Sequence, residues 1–243
     1  MTKLILADLD HGFETRTDQI GQSRLNEQMT KLAAQGTKLG FLTANSYAKV
    51  IQQFKGMQAP AVVVCERGAE TIVDRVVKDE ATIDYHIWQS ALQWVQSNRD
   101  FNTAYIVLSG KLNAYTDATP DSKAYPQIKA EYPSRYQIKN IELVSDLVYQ
   151  IRLIFDDDQE IENKAQTFNN HFNGKLVAHA LGNQIAITAV EASYANSIDG
   201  LKTELSLNDA DVTVINDHSD AIDQLFDDPA TKSGYDAIDQ LIK

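Results

Sequence analysis

The sequence predicts an α/β protein, a doubly wound parallel sheet of Rossmann type with an α+β module inserted into it. Three observations lead there. Short apolar runs alternate with helical stretches from Leu4 to Cys65. The middle third changes character and carries several strands in succession. After about Val190 the strand–helix rhythm returns.

The elements follow in order. Leu4 to Ala7 is a short apolar run ending at Asp8, as a buried parallel strand would. Gln19 to Gln35 carries Leu25, Met29 and Leu32 at helix spacing, and Gly36 suits the C-terminal end. Leu39 to Leu42 is a second strand, ending at Thr43. Ser46 caps a helix carrying Val50, Ile51 and Phe54. Ala61 to Cys65 is a third strand, and Glu66-Arg67-Gly68 turns the chain into a hairpin near Thr71 to Val77. In the middle third, Tyr85 to Gln96 is helical, with Ile87, Leu92 and Val95 on one side, and Ala104 to Leu108 is a strand. Gly110 to Ser134 reads as loop. Val148 to Phe155 alternates apolar and polar residues, which predicts a strand with one wet face. Asp156-Asp157-Asp158 opens a helix through Ile161, Ala165, Phe168 and Phe172, and Leu176–Leu181 and Ile185–Val190 are strands. A helix from Tyr194 to Leu205, a strand from Val212 to Ile215, a helix from Ser219 to Phe226 and an amphipathic segment from Tyr235 to Ile242 complete the chain. The expected division is a discontinuous core, 1–78 and 191–243, around a module at 79–190.

Composition narrows the function. The chain has 243 residues, 43% of them hydrophobic, enough for a real core. Its net charge of −12 repels a phosphate backbone, so nucleic acid is not an expected partner. No apolar stretch approaches the roughly 18 residues that span a bilayer, and Met1 to Leu6 meets Asp8 too early for a signal-peptide core, so a cytoplasmic protein without membrane contact is expected. The single Cys65 sits in an apolar run and reads as a buried small hydrophobe. The five histidines show no zinc-ligand spacing, and Trp88, Trp94 and Tyr105 read as core. GxGxxG, P-loop and GxSxG motifs do not occur. Oligomeric state is left open.

Ligands of parallel sheets bind at the carboxyl ends of the strands. Three such ends carry oxygen-bearing residues: Asp8 with Asp10, Thr43, and Asp217. Asp8, the Asp10 carbonyl and Asp217 would give a hard divalent cation such as Mg²⁺ the oxygen ligands it prefers. A carboxylate there can attack a phosphoryl group, and its neighbour two residues on can act as acid and base. Aspartates after strands also cap helices and shape turns, so position alone leaves both readings open.

Leu4 to Asp10 resembles the DxDxT motif of the haloacid dehalogenase (HAD) superfamily. Thr43-Ala44-Asn45-Ser46-Tyr47 is similar to its phosphate-binding segment, Glu66-Arg67-Gly68-Ala69 to the hairpin before an α+β cap, and Ile215 to Ile222 to its metal-binding segment. A gap-free register of apolar positions, Ile198, Leu201, Leu205, Leu207, Val212 and Val214, brings Asp217 onto the family aspartate. The closest likeness is to Cof-like, sugar-phosphatase-like members. The resemblance implies a HAD core with a cap, Mg²⁺ held by Asp8, Asp10 and Asp217, Asp8 as nucleophile and Asp10 as acid/base. Thr43, Ala44 and Tyr194, which falls on the family lysine, would line the phosphoryl group of a small phosphorylated metabolite. Several positions depart from the pattern: His11-Gly12 follows Asp10, Ala44-Asn45 replaces Gly-Arg, Tyr194 replaces Lys, and Asp220-Ala221 replaces Asn-Asp. His11 and His218 would flank the site, as phosphate ligands or as space-fillers. The departures set a second expectation beside the phosphatase, a HAD-fold pseudoenzyme that binds or regulates.

Overall fold

The computed structural model describes residues 3–10, 19–157, 160–215 and 234–242. The chain divides into two compact units, Met1–Glu80 with Ser193–Lys243, and Ala81–Ala192. In chain order the first unit begins with β1 (Leu4–Asp8), α1 (Gln19–Ala34), β2 (Lys38–Leu42), α2 (Tyr47–Gln53), β3 (Val62–Cys65), β4 (Glu70–Val73) and β5 (Val76–Glu80). The second unit holds α3 (Tyr85–Ser97), β6 (Tyr105–Gly110), β7 (Ala114–Thr116), α4 (Tyr125–Glu131), β8 (Arg135–Gln137), β9 (Val148–Ile154), α5 (Ile161–His171), β10 (Leu176–Leu181) and β11 (Gln184–Ala189). The first unit resumes with α6 (Tyr194–Glu204) and β12 (Val212–Ile215), and α7 (Gly234–Leu241) follows.

The first unit's sheet has the order β12-β1-β2-β3-β4-β5. Its first four strands are parallel, and β4 and β5 fold back as an antiparallel hairpin. Residues two apart in β1 share a face, so Ile5 and Ala7 pack with Phe41, Val63 and residues of α1 and α7, while Leu4 and Leu6 pack with Val62, Val64 and α6. Both faces are apolar because both are covered. Right-handed crossovers explain the sides. β1, α1, β2, α2 and β3 step one way along the sheet, and the chain enters β12 from α6 on the far side of β1, so α6 lies on the opposite face. The order therefore reverses at β1. The hairpin turns through Asp74 and Arg75 at φ 49° and 69°, the left-handed pair of a type I′ turn. α7 docks on α1 through Arg24, which reaches Asp236 and Asp239, and through buried Gln28, which donates to the Tyr235 carbonyl at 2.7 Å.

The second unit is a six-stranded sheet of order β10-β11-β9-β6-β7-β8, antiparallel except for the β7–β8 pair. One face buries α3 and α5 through Trp88, Leu92, Val95, Ile161 and Phe168; the other packs α4 through Val107, Ile154 and Ile128.

Several expectations are corrected. The stretch from Gly110 to Ser134 contains β7 and α4, because Ala114, Ala118 and Ala124, small, and Ile128, larger, bury apolar side chains against Val107 and Ile154. β9 has no wet face. It is a central strand, and its polar residues bond one another: Arg152 Nε donates to Gln150 Oε1 at 2.8 Å, and Arg152 Nη1 to Gln184 Oε1 at 3.0 Å. The alternation was real, but the polar face is buried, with Gln150 Oε1 and the Arg152 guanidinium bonded inside the sheet and Gln150 Nε2 left without a partner. The buried side of α3 runs through Trp88, Ala91, Leu92 and Val95, with Ile87 only half-buried, and Ile51 of α2 is 40% exposed. α5 starts at Ile161, later than the aspartate run. The helix expected from Ser219 to Phe226 lies outside the described residues.

Gly40 in β2 shows how tight the sheet is. A Cβ there would lie 2.6 Å from Val62 Cβ and 2.9 Å from the Val62 carbonyl oxygen. Gly40→Ala should lower the denaturant midpoint of unfolding, by an overpacking cost of about 1–3 kcal/mol.

Candidate active site

Asp8 is the last residue of β1 and is 6% exposed. The chain then leaves the sheet through one more ladder bond, Leu9 N to Leu42 O at 2.9 Å, and turns tightly enough for Asp10 N to donate to Asp8 Oδ1 at 2.8 Å. β1 is where the sheet order reverses, and such a crevice at the carboxyl end is where a doubly wound sheet leaves room for a ligand.

β2 ends beside it. Thr43 is fully buried, and its N–H continues the ladder to Val64 O at 2.9 Å. The next three residues converge on the Asp10 carboxylate. Thr43 Oγ1 donates to Asp10 Oδ1 at 2.6 Å, Asn45 Nδ2 to the same oxygen at 2.7 Å, and Ala44 N to Asp10 Oδ2 at 2.7 Å. Asn45 N closes the loop on Thr43 Oγ1 at 3.0 Å. Ser46 then caps α2, its side chain accepting from Lys49 N. The loop from Thr43 to Asn45 is thus an anion cradle, filled by the chain's own carboxylate.

After β3 come Glu66, Arg67 and Gly68, all with left-handed backbone at φ 49°, 59° and 99°. Their amides are pinned to the cradle: Glu66 N donates to Asn45 O and Arg67 N to Thr43 O, both at 3.1 Å. Gly68 is needed twice over, for its φ and because a Cβ would overlap the Ser193 backbone. That close approach seats the start of α6, where Ser197 Oγ donates to Gly68 O at 3.2 Å and Ser193 caps the helix.

Tyr194 is the first residue of α6 and is buried among Leu4, Leu6, Leu42 and Val64. Its phenol is held well above the ordinary tyrosine range, chiefly by burial, then by the charge of Asp10 and, less, of Asp8; the Arg67 guanidinium opposes them. Tyr194 is therefore a neutral donor at neutral pH. Burial also pushes the Cys65 thiol up, with Glu70, Glu66 and Asp10 adding to it, so Cys65 stays protonated and inert.

The structure thus brings Asp8, Asp10, Thr43, Ala44 and Tyr194 together. Asp217, His11, His218, Asp220 and Ala221 lie outside the described residues. Among the described residues no group of three or more His, Cys, Asp or Glu is placed to hold a metal. Two residues were passed over by sequence reasoning. Asn45 counted as a departure from the expected Gly-Arg, yet it is one of the three donors to Asp10; its place two residues after Thr43 was the available signal. Arg67 was counted only as part of a hairpin turn.

The model of the haloacid dehalogenase-like hydrolase family matches residues 5–220. The chain belongs to that family. Solved structures share the fold of nearly the whole chain. A Streptococcus mutans UA159 protein superposes at TM-score 0.81 with 14% identity, covering 99% of each chain. A HAD/COF-like hydrolase candidate from Plasmodium vivax superposes at 0.76 with 16% identity, covering 92% of this chain and 81% of its own. A HAD-superfamily phosphatase from Bacteroides thetaiotaomicron does so at 0.70 with 16% identity, covering 93% and 81%. No curated protein sequence matches significantly. Among the described residues of this HAD-like chain, no helix is long and apolar enough to cross a membrane.

The raised Tyr194 pKa has a signed consequence. In the unfolded chain the phenol ionises near its ordinary value of 10.0, while in the fold it keeps its proton. The stability it contributes is whole below that value and is lost as pH rises past it. Between about pH 9 and pH 11, denaturant midpoints of the metal-free protein should fall further for the wild type than for Tyr194→Phe.

Proposed function

We propose that this chain is a phosphomonoesterase acting through Asp8 on a small phosphorylated metabolite, sugar phosphates being the expected class. The observation that supports the reading is the cradle: three donors, Thr43 Oγ1, Ala44 N and Asn45 Nδ2, converge on one anion beside the buried carboxylate of Asp8. Donors held in place before reaction are what phosphoryl transfer needs most. The similar Bacteroides protein is described as a phosphatase. The net charge of −12 favours a small substrate over nucleic acid, and the chain is expected to work in the cytoplasm.

The donor set suits a hard cation, because it is made of oxygen. Asp8 and the Asp10 carbonyl, with Asp217 from outside the described residues, would hold Mg²⁺. Bound there, it would neutralise charge on the phosphoryl oxygens.

The residues then divide the work. A phosphoryl group entering the cradle takes over donors that Asp10 now occupies, so Asp10 turns out toward the leaving group. Asp10, having taken a proton from solvent on leaving the cradle, then acts as the acid: an Asp8 oxygen attacks phosphorus, the bond to the leaving oxygen breaks, and Asp10 gives that oxygen its proton. Asp10 next takes a proton from water, whose oxygen attacks phosphorus. The bond to Asp8 breaks, and inorganic phosphate leaves. Tyr194 donates a hydrogen bond without charge.

Asp8→Asn should abolish hydrolysis of an aryl phosphate in Mg²⁺; turnover that survives it would sink the reading. Asp10→Asn should lower kcat by roughly 10²–10⁴-fold without weakening inorganic phosphate, since its own carboxylate no longer competes for the cradle. Thr43→Ala should cost roughly 10²–10³ in kcat. Two observations favour a second reading, a binding or regulatory protein: the cradle is filled internally, and the buried Tyr194 is neutral. Phosphate binding in Mg²⁺ with no turnover of any phosphomonoester would select it.

A further inference from the structure

A phosphoryl group at this site would add negative charge beside Asp8, Asp10 and the buried Glu66. The cradle's three donors are a hydroxyl, an amide N–H and a carboxamide, and none carries charge. Among the described residues, Arg67 is a cation whose position is tied to them. Its N–H is bonded to the Thr43 carbonyl, and Thr43 Oγ1 is bonded to Asp10. On its other side Gly68 is pressed against Ser193, the residue before Tyr194. Arg67 is therefore pinned between the cradle and the start of α6. It is half-buried, with its side chain partly open to solvent.

The backbone adds an independent observation. Arg67 has φ 59° and ψ 32°, the left-handed region, which costs an L-residue other than Gly, Asn or Asp. Such strain persists where the surroundings over-determine it, and it gathers at ligand-binding positions. Asn or Gly would relieve the strain, yet a long cationic side chain stands there.

We propose that Arg67 is the protein's own cation for the substrate's phosphoryl group, binding it from the β3 side while Tyr194 adds an uncharged hydrogen bond. This rests on the phosphomonoesterase reading above. An arginine suits the role, because its planar fork meets two phosphate oxygens at once and its charge does not titrate.

The test is titration calorimetry with inorganic phosphate in saturating Mg²⁺, on wild type, Arg67→Asn, Arg67→Gly and Arg67→Lys, with aryl phosphate kinetics alongside. Asn and Gly accept the left-handed backbone, so both variants should keep the wild-type melting temperature or exceed it. Loss of a charge-assisted pair should weaken phosphate by about 10–100-fold, and Arg67→Lys should recover part of that. kcat/KM should fall with the affinity. Folded Arg67→Asn and Arg67→Gly that bind phosphate as wild type does would overturn the role of Arg67 while leaving the phosphatase intact. A wild type that neither binds phosphate nor cleaves a phosphomonoester would overturn both.

Discussion

The site depends on the parallel pairing of β1 with β2 on one side and β12 on the other. Because the chain steps outward in opposite directions from β1, its helices fall on opposite faces, and the carboxyl end of β1 opens between them. The β1–β2 register sets Asp8 opposite Leu42, so the residue after each strand meets its neighbour: Asp10 reaches the Thr43 loop only because the two ends are level. A slip of one residue would also turn Leu4 and Leu6 from the α6 face to the α1 face. Core and site are specified by the same register.

From that register the rest is a chain of backbone contacts. Thr43 bonds to β3 through Val64, Arg67 bonds back to Thr43, and Gly68 admits the backbone of Ser193. Each contact is short and made mostly by main chain, which tolerates changes in side chain. This is why the fold accepts Tyr194 at the start of α6. Its ring packs among Leu4, Leu6 and Leu42 as an apolar residue would.

Much of this was legible in the sequence, because the first unit announces itself through period. Alternating apolar strands and 3.6-residue helices marked most of that unit's described elements to within a residue or two, the β4–β5 hairpin running further than expected, to Glu80, and apolar runs followed by oxygen-bearing residues pointed to Asp8, Asp10 and Thr43. What stayed hidden depended on three-dimensional neighbours. β9 alternates as a half-wet strand does, and only its central place, with Gln150, Arg152 and Gln184 bonded together, makes it dry. Small residues such as Ala114, Ala118 and Ala124 carry too weak a pattern to reveal β7 and α4. Arg67 was invisible for a related reason: a left-handed arginine leaves no mark on periodicity.

The internal anion in the cradle bears on how this site handles charge. The Asp10 carboxylate accepts three hydrogen bonds, on both oxygens, so the donors are satisfied before any ligand arrives. Satisfied donors keep the loop in shape, since a buried donor left without a partner costs about 1–3 kcal/mol. A neutral ligand has little to offer such a loop in exchange. A dianion would, because it brings more acceptor oxygens and more charge than the carboxylate it would displace, and under the proposed mechanism the displaced Asp10 would turn toward solvent and the leaving group. Exchange of one anion for another would select for phosphoryl ligands and, in the same motion, place the acid where the departing oxygen needs it.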